Sequence, residues 1–344
     1  MFGFYIALAV FLVVAILLLI FRISRLIGVV KGTGEKTTMG SNNLNAIMMI
    51  VFMVLFFGLA GWYSFGNFDA YDPPVASDHG ELTDKLFWRT MWITGLVFVI
   101  TNILLFYFSW RYRYSEHRKA LFYPHNNKLE YIWTGVPAVV LTWLVISGWM
   151  AWEGIMSEAP EDSEQIEIMG YQFAWSLRYG GMDNEVGDYD YRLIDAVNSH
   201  GQDFSDRAGF DDFQFRDLVI PKGKPVLLKI RARDVLHSVF IPHMRLKMDA
   251  VPGMPTQFWF VANKTTAEMR VEEGNPEFDY ELACTEICGN GHFSMKKKVT
   301  VLEPEEYEKW KAEQKSWLSK NPEYMTQVPD NLKELALVTS GINE

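Results

Sequence analysis

Four stretches without a charged residue, Gly3 to Phe21, Leu44 to Phe68, Thr90 to Trp110 and Tyr131 to Trp152, constrain this sequence more than any other feature. Each is about the 20 residues a helix needs to cross a hydrocarbon layer. Buried helices of soluble domains rarely run so far without a charge, so the pattern predicts four membrane-spanning helices. The first run is not expected to be a cleaved leader. No basic residue precedes it, its apolar stretch is too long, and Arg22, Arg25 and Lys31 follow where small residues would mark a cleavage site.

The loops give the orientation, because basic residues are retained on the cytoplasmic side. Arg22, Arg25, Lys31 and Lys36 follow the first run against Glu35 alone, and "RYRYSEHRKALFYPHNNKLE" between the third and fourth runs is again basic. The segment between the second and third, "DAYDPPVASDHGELTDK", is acidic. The N-terminus and everything after Trp152 are therefore expected outside.

That outer portion contains short segments that alternate or are rich in β-branched residues, "QIEIMGYQFAWSLRY", "KPVLLKIRA", "TQFWFVANK" and "KKVTVL", with turn signals such as "PKGK" between them. In "VLLKIRA", Leu228, Ile230 and Ala232 fall on one face and Lys229 and Arg231 on the other, as a half-buried strand requires. A β-sandwich is the expected fold. The charge spacing of "PEEYEKWKAEQKSWLSKNPE" predicts a terminal helix. Asp-rich residues 180–217 read equally well as a solvated insertion or as an acidic surface that steers a basic partner.

Both cysteines of the chain stand in "ACTEICGNGHFSM". In an oxidising exterior two thiols would by default form a disulfide. Their company argues otherwise: Cys284, Cys288, His292 and Met295 lie within twelve residues, and His237 in "DVLHSVFIPH" supplies a further imidazole from an earlier strand. Thiolate, imidazole and thioether together are a copper set, whereas zinc would take Cys2His2 and leave Met295 unused. The second thiolate exceeds what one copper of the blue type holds, while two coppers bridged by both thiolates could each keep one imidazole. His243 is a rival ligand, but a lone histidine is more often structural. His79, His117, His125 and His200 are assigned no role.

"CTEICGNGH" with Met295 and "DVLHS" resembles the binuclear CuA centre of cytochrome c oxidase subunit II, a cupredoxin domain carried by membrane helices. "KLEYIWTGVPAVVL", "GYQFAWSLRY" and "LKMDAVPGM" extend the resemblance over roughly residues 85 to 315. It implies an order of two additional helices (1–70), a helix pair of the subunit II type (71–152), a periplasmic cupredoxin-like domain (153–304) and a C-terminal helix with tail (305–344). It also implies that Cys284 and Cys288 bridge two copper ions, with His237 and Met295 completing one and His292 and the carbonyl of Glu286 the other. The Glu286 side chain would reach a magnesium shared with subunit I, Asp249 would face subunit I, and Glu130 would sit at the mouth of a proton channel. Electrons would arrive from a c-type cytochrome near Phe173 and Trp175.

None of the four spans contains a histidine to ligate haem, and no C-x-x-C-H appears. The expected function is thus electron input to an oxidase whose oxygen chemistry, with proton pumping, occurs in another subunit, in a bacterial inner membrane. The expected partners are the other oxidase subunits, a cytochrome donor and the bilayer, with no nucleic acid. Three departures from the family stand out. Phe173 replaces a usual tryptophan, Met254 stands where many relatives have arginine, and two helices are extra. The first and last suggest a donor held in a standing supercomplex. A copper chaperone or thiol-disulfide protein, a copper-free quinol oxidase subunit II, and an anchored domain with a simple disulfide are the alternatives.

Overall fold

The computed structural model describes residues 2–32, 39–68 and 72–342. Glu35 and Lys36 of the first basic loop lie outside them. The chain divides into two compact units, residues 1–68 with 92–131, and residues 69–91 with 132–344.

Helices α1 (Phe2–Val30), α2 (Met39–Gly66), α3 (Asp78–Arg111) and α4 (Asn127–Ile155) are all long and apolar enough to span a membrane. The apolar side chains described on these helices are largely exposed, as lipid-facing residues are, and a helix is suited to hydrocarbon because it satisfies its own backbone polar groups. In the first unit α2 packs along α3 through Phe57 on Phe98, centroids 5.6 Å apart, and Phe52 on Phe106 at 6.3 Å. The end of α1, the start of α2 and the segment after α3 are joined by polar contacts. Arg22 bonds Asn45, Arg113 donates to Asn43 at 2.7 Å, and Asn42 donates to the carbonyl of Tyr114 at 2.9 Å.

Helix α3 starts twelve residues before the apolar run that announced it, because its first turns belong to the second unit. There Arg245 grips Asp84 through two nitrogens at 2.7 and 2.8 Å and donates to Pro73 O at 2.8 Å, while the Ser77 hydroxyl donates to Met244 O at 2.7 Å.

The outer portion is a sandwich of two five-stranded sheets. The strands are β1 (Glu164–Tyr171), β2 (Ala174–Tyr179), β3 (Phe213–Phe215), β4 (Leu218–Pro221), β5 (Pro225–Ala232), β6 (His237–Ile241), β7 (Leu246–Ala250), β8 (Thr256–Val261), β9 (Tyr280–Cys284) and β10 (Lys296–Leu302). One sheet runs β3-β2-β1-β5-β8 and the other β4-β10-β9-β6-β7. "QIEIMGYQFAWSLRY", read as one segment, is a hairpin that turns at Gln172–Phe173 and pairs Tyr171 with Ala174. Ile166, Ile168, Leu177, Leu228 and Ile230 from the first sheet meet Val239, Ile241, Leu282, Val299 and Val301 from the second. Each such side chain, fully withdrawn from water, contributes about 1.5–3 kcal/mol before entropy is counted.

The expected terminal helix is present as α6 (Pro304–Ala312), which follows a short helix α5 (Thr266–Glu272) in chain order; it stops at Glu313, short of the full charge-patterned segment, and α7 (Trp317–Lys320) and α8 (Lys333–Thr339) succeed it. Of the two readings of the Asp-rich segment, the solvated insertion does not hold. Phe204 and Phe210 from it pack with Trp317, Leu318, Tyr324, Val328 and Ala336 in a second apolar core. Its aspartates serve largely as turn caps: Asp190 accepts from Arg192 N at 2.9 Å, Asp195 from Val197 N at 2.7 Å, and Asp203 from Ser205 N at 2.9 Å. The segment is pinned to the outer face of β1, β2 and β5 by buried charges. Arg178 lies between Asp212 and Glu167, Arg231 bonds Glu167, and His200 bonds Glu167 at 2.7 Å and Ser176 at 2.8 Å. His200, assigned nothing from sequence, is therefore a fully buried member of a polar network.

Candidate metal centre

Strands β6 and β9 lie antiparallel with Val239 opposite Cys284, a register that brings His237 and Cys284 to the same end of the sheet. The chain leaves β9 in a loop and returns as β10, pairing Lys296 with Ala283. Closure of that loop on its stem is marked by Cys284 N donating to Met295 O at 3.0 Å. Four of the side chains singled out by sequence spacing thus converge with His237 from another strand.

The Nδ1 of His237 stands 3.9 Å from Cys284 Sγ, and the Nδ1 of His292 stands 3.6 Å from Cys288 Sγ. The thioether of Met295 is 3.3 Å from Cys288 Sγ, and the carbonyl of Glu286 is 3.3 Å from Cys284 Sγ. Ligand atoms of His237, Cys284 and Cys288 all fall within 4.8 Å of one another. The two sulfurs form the middle of the cluster and an imidazole closes each end. Both cysteines are free. Burial, then the neighbouring Cys284, pushes the Cys288 thiol up to about 11, so two thiolates side by side call for positive charge between them. Soft sulfur with imidazole fits copper, and a donor at each end of a sulfur pair fits two ions better than one.

Three neighbours frame the cluster. Trp175, 2 % exposed, donates its indole N–H to Met295 O at 3.3 Å and sets its ring 5.8 Å from that of His237. Gly170 permits this, since a Cβ there would come within 2.9 Å of the Trp175 ring and 3.0 Å of His237. Asp234 faces the other nitrogen of His237, Oδ1 to Nε2 at 3.0 Å. Partial burial works against ionisation of Asp234, yet the N–H of Gln172, the His237 ring and the N–H of Val235 together hold its carboxyl below the usual range. Sequence reasoning quoted this aspartate within "DVLHS" but gave it no role; its position three residues before a ligand was the available signal.

The remaining candidates separate. Of the two residues expected at electron entry, Phe173 is 38 % exposed at the surface of the β1–β2 turn, whereas Trp175 is buried behind it. His243 is not in the cluster of His237, Cys284 and Cys288; it packs between Phe278 and Tyr280 at 5.1 and 5.3 Å. The Glu286 side chain is exposed, and so is Asp249, whose carboxylate accepts from Ser238 Oγ at 2.7 Å. Glu130 lies exposed in the first turn of α4, accepting from Asn126 N at 3.4 Å.

Residues 165–302 match the family described as cytochrome c oxidase subunit II, periplasmic domain, and residues 60–148 match its transmembrane domain. A relative from Bradyrhizobium diazoefficiens, alternative cytochrome c oxidase subunit 2, is 35 % identical over 71 % of this chain and 84 % of its own length. The chain belongs to the cytochrome c oxidase subunit II family. Cytochrome c oxidase subunit 2 of Cereibacter sphaeroides is 28 % identical over 64 % of this chain and 74 % of its own. Among solved structures, the periplasmic domain of subunit II of the Bradyrhizobium japonicum oxidase is similar at 22 % identity, covering 45 % of this chain and 95 % of that one with a TM-score of 0.30. Membership makes the chain one subunit of a haem-copper oxidase, with a cupredoxin-like sandwich on the outer side of membrane helices. Helix α1 and most of α2 fall outside the matched residues.

Proposed function

We propose that this subunit II is the electron-input subunit of its oxidase. It takes electrons from a c-type cytochrome at a binuclear copper centre and passes them to haem in subunit I, where oxygen is reduced to water with proton pumping. The observation that carries the reading is the pair of free thiols set between two imidazoles, with a thioether and a carbonyl beside them. His237, Cys284, Glu286 through its carbonyl, Cys288, His292 and Met295 would hold the metals.

Two copper ions held by these residues would supply a one-electron store whose charge change is shared between them. The protein's contribution is a fixed frame. His237 is fully buried, Met295 is tied through its carbonyl to Trp175, and the loop closes on β9, so little of the surroundings is free to move when charge changes. Phe173 offers the exposed aromatic contact for the donor.

Further roles follow from the family. Glu286 would lend its carboxylate to a magnesium shared with subunit I, Asp249 would face that subunit, and Glu130 would stand at the mouth of its proton channel. The membrane would be a bacterial inner membrane. Because Phe173 lacks an indole N–H, and α1 and α2 add membrane surface, the donor haem would be held in a standing complex with the oxidase, where proximity replaces docking affinity. The test is to purify the oxidase with its partners and measure oxidation of added soluble cytochrome c against salt. Slow turnover beside that of the native donor complex supports the reading of the donor. Fast, strongly salt-dependent turnover would refute the standing complex but not the copper centre, and failure of any c-type cytochrome to reduce the oxidase would refute the function.

A further inference from the structure

Asp234 touches more than its histidine. Its Oδ1 faces His237 Nε2 at 3.0 Å and accepts from Val235 N at 2.8 Å, while its Oδ2 accepts from the backbone N–H of Gln172 at 2.8 Å. Gln172 in turn donates its side-chain amide to Cys288 O. Phe173, the next residue, lies over Gly289 and Gly291 of the metal loop. One carboxylate therefore binds the loop before β6, an inner ligand, and the surface turn that covers the other side of the site.

We propose that Asp234 is a positioning residue which couples the His237 imidazole to the Gln172–Phe173 turn. The proposal rests on the copper reading above. An imidazole that donates Nε2–H to a carboxylate has its tautomer fixed, leaving the Nδ1 lone pair toward Cys284 and making it more basic. The second oxygen uses the same anchor to hold the turn that carries the exposed aromatic ring. Any displacement of this carboxylate would move the ligand and the surface together, so the copper site and the donor's contact surface keep one geometry.

The two halves can be separated by chemistry. Asp234→Asn with its carbonyl oxygen in the place of Oδ2 still accepts from the Gln172 N–H, but the NH2 then in the place of Oδ1 cannot accept from His237 or Val235. Asp234→Ala loses both. The experiment uses the full chain in the purified, copper-loaded oxidase and reads copper retention against a chelator, the electron paramagnetic resonance spectrum, and backbone hydrogen exchange at the turn. Asp234→Asn should lose about 10-fold or more in copper retention with an altered spectrum, while the turn keeps its slow exchange. Asp234→Ala should show the same copper loss and also exchange about 5-fold faster at Gln172.

Wild-type retention and spectrum in both variants would overturn the proposal, and so would unchanged exchange in Asp234→Ala. A wild-type oxidase with no copper at this site would overturn the site reading and the proposal with it. Copper in the wild type with unaltered variants would overturn the proposal alone.

Discussion

The ring of Phe173 fills the space that a side chain at Gly291 would need: a Cβ there would meet the ring at 2.5 Å. Gly289 faces the same ring, a Cβ coming within 2.9 Å, and holds φ at +133°, where other residues are strained. The surface aromatic and the metal loop are thus fitted to each other through missing side chains. Gly291→Ala should displace Phe173 and cost about 1–3 kcal/mol, as overpacking does. Thermal unfolding of the copper-loaded oxidase should register the loss, while electron transfer from the donor slows and copper content is retained. Unchanged donor oxidation would show that the ring's position is unimportant.

Much of this was legible beforehand. The four long apolar helices, the sandwich and the grouping of Cys284, Cys288, His292 and Met295 with His237 followed from hydropathy, alternation and donor chemistry. What sequence did not show was long-range pairing among charged residues. An Asp-rich stretch looks the same whether its carboxylates face water or cap turns, and Arg178 or His200 looks surface-bound until its buried partners are known. The break after Ala312 was hidden because charge spacing persists through Lys315, whereas Ser316 accepts from Ser319 N at 3.0 Å and starts a new helix. The burial of Trp175 beside an exposed Phe173 was hidden because the tight turn between β1 and β2 was not visible within one continuous apolar segment.

The second apolar core should be needed to hold the Asp-rich segment. Trp317 stacks on Phe204 at 5.6 Å, and its N–H donates to Asp212 O at 2.6 Å. Trp317→Ala should remove about 3–5 kcal/mol from this module. Limited proteolysis of the oxidase should then cut within residues 186–212 while leaving the copper spectrum intact. Resistance equal to wild type would show that the charged network alone suffices.

Asp212 makes stability depend on pH. Burial pushes its carboxyl up to about 7 from an ordinary 3.8, against the pull of Arg178 and the Gly187 N–H. A group raised on folding stabilises fully below its unfolded value and loses that contribution as pH rises through its folded value. The stability of wild type relative to Asp212→Asn should therefore decline from about pH 4 to about pH 7 and stay level above it. Glu167 works in the opposite sense, since despite burial its contacts with His200, Arg231 and Arg178 hold it far below its usual range. Comparison with Asp212→Asn cancels that common term. Denaturant unfolding across this range is the measurement, and a level difference would contradict it.

Glu130 stands exposed in the first turn of α4, where the helix dipole favours an acid. If it also feeds a proton path, Glu130→Ala should slow oxygen consumption several-fold and leave the copper spectrum unchanged. Turnover at the wild-type rate would reduce it to a helix-start acid.

The central claim is that two thiols between two imidazoles hold two metals as one electronic unit. Copper analysis joined to electron paramagnetic resonance of the purified oxidase tests it most directly, with Cys288→Ser as the control. The account predicts two coppers at this site per subunit II and a single unpaired electron shared equally between them, a signal that Cys288→Ser abolishes. One copper with a localised electron, or the shared signal surviving in Cys288→Ser, would contradict it.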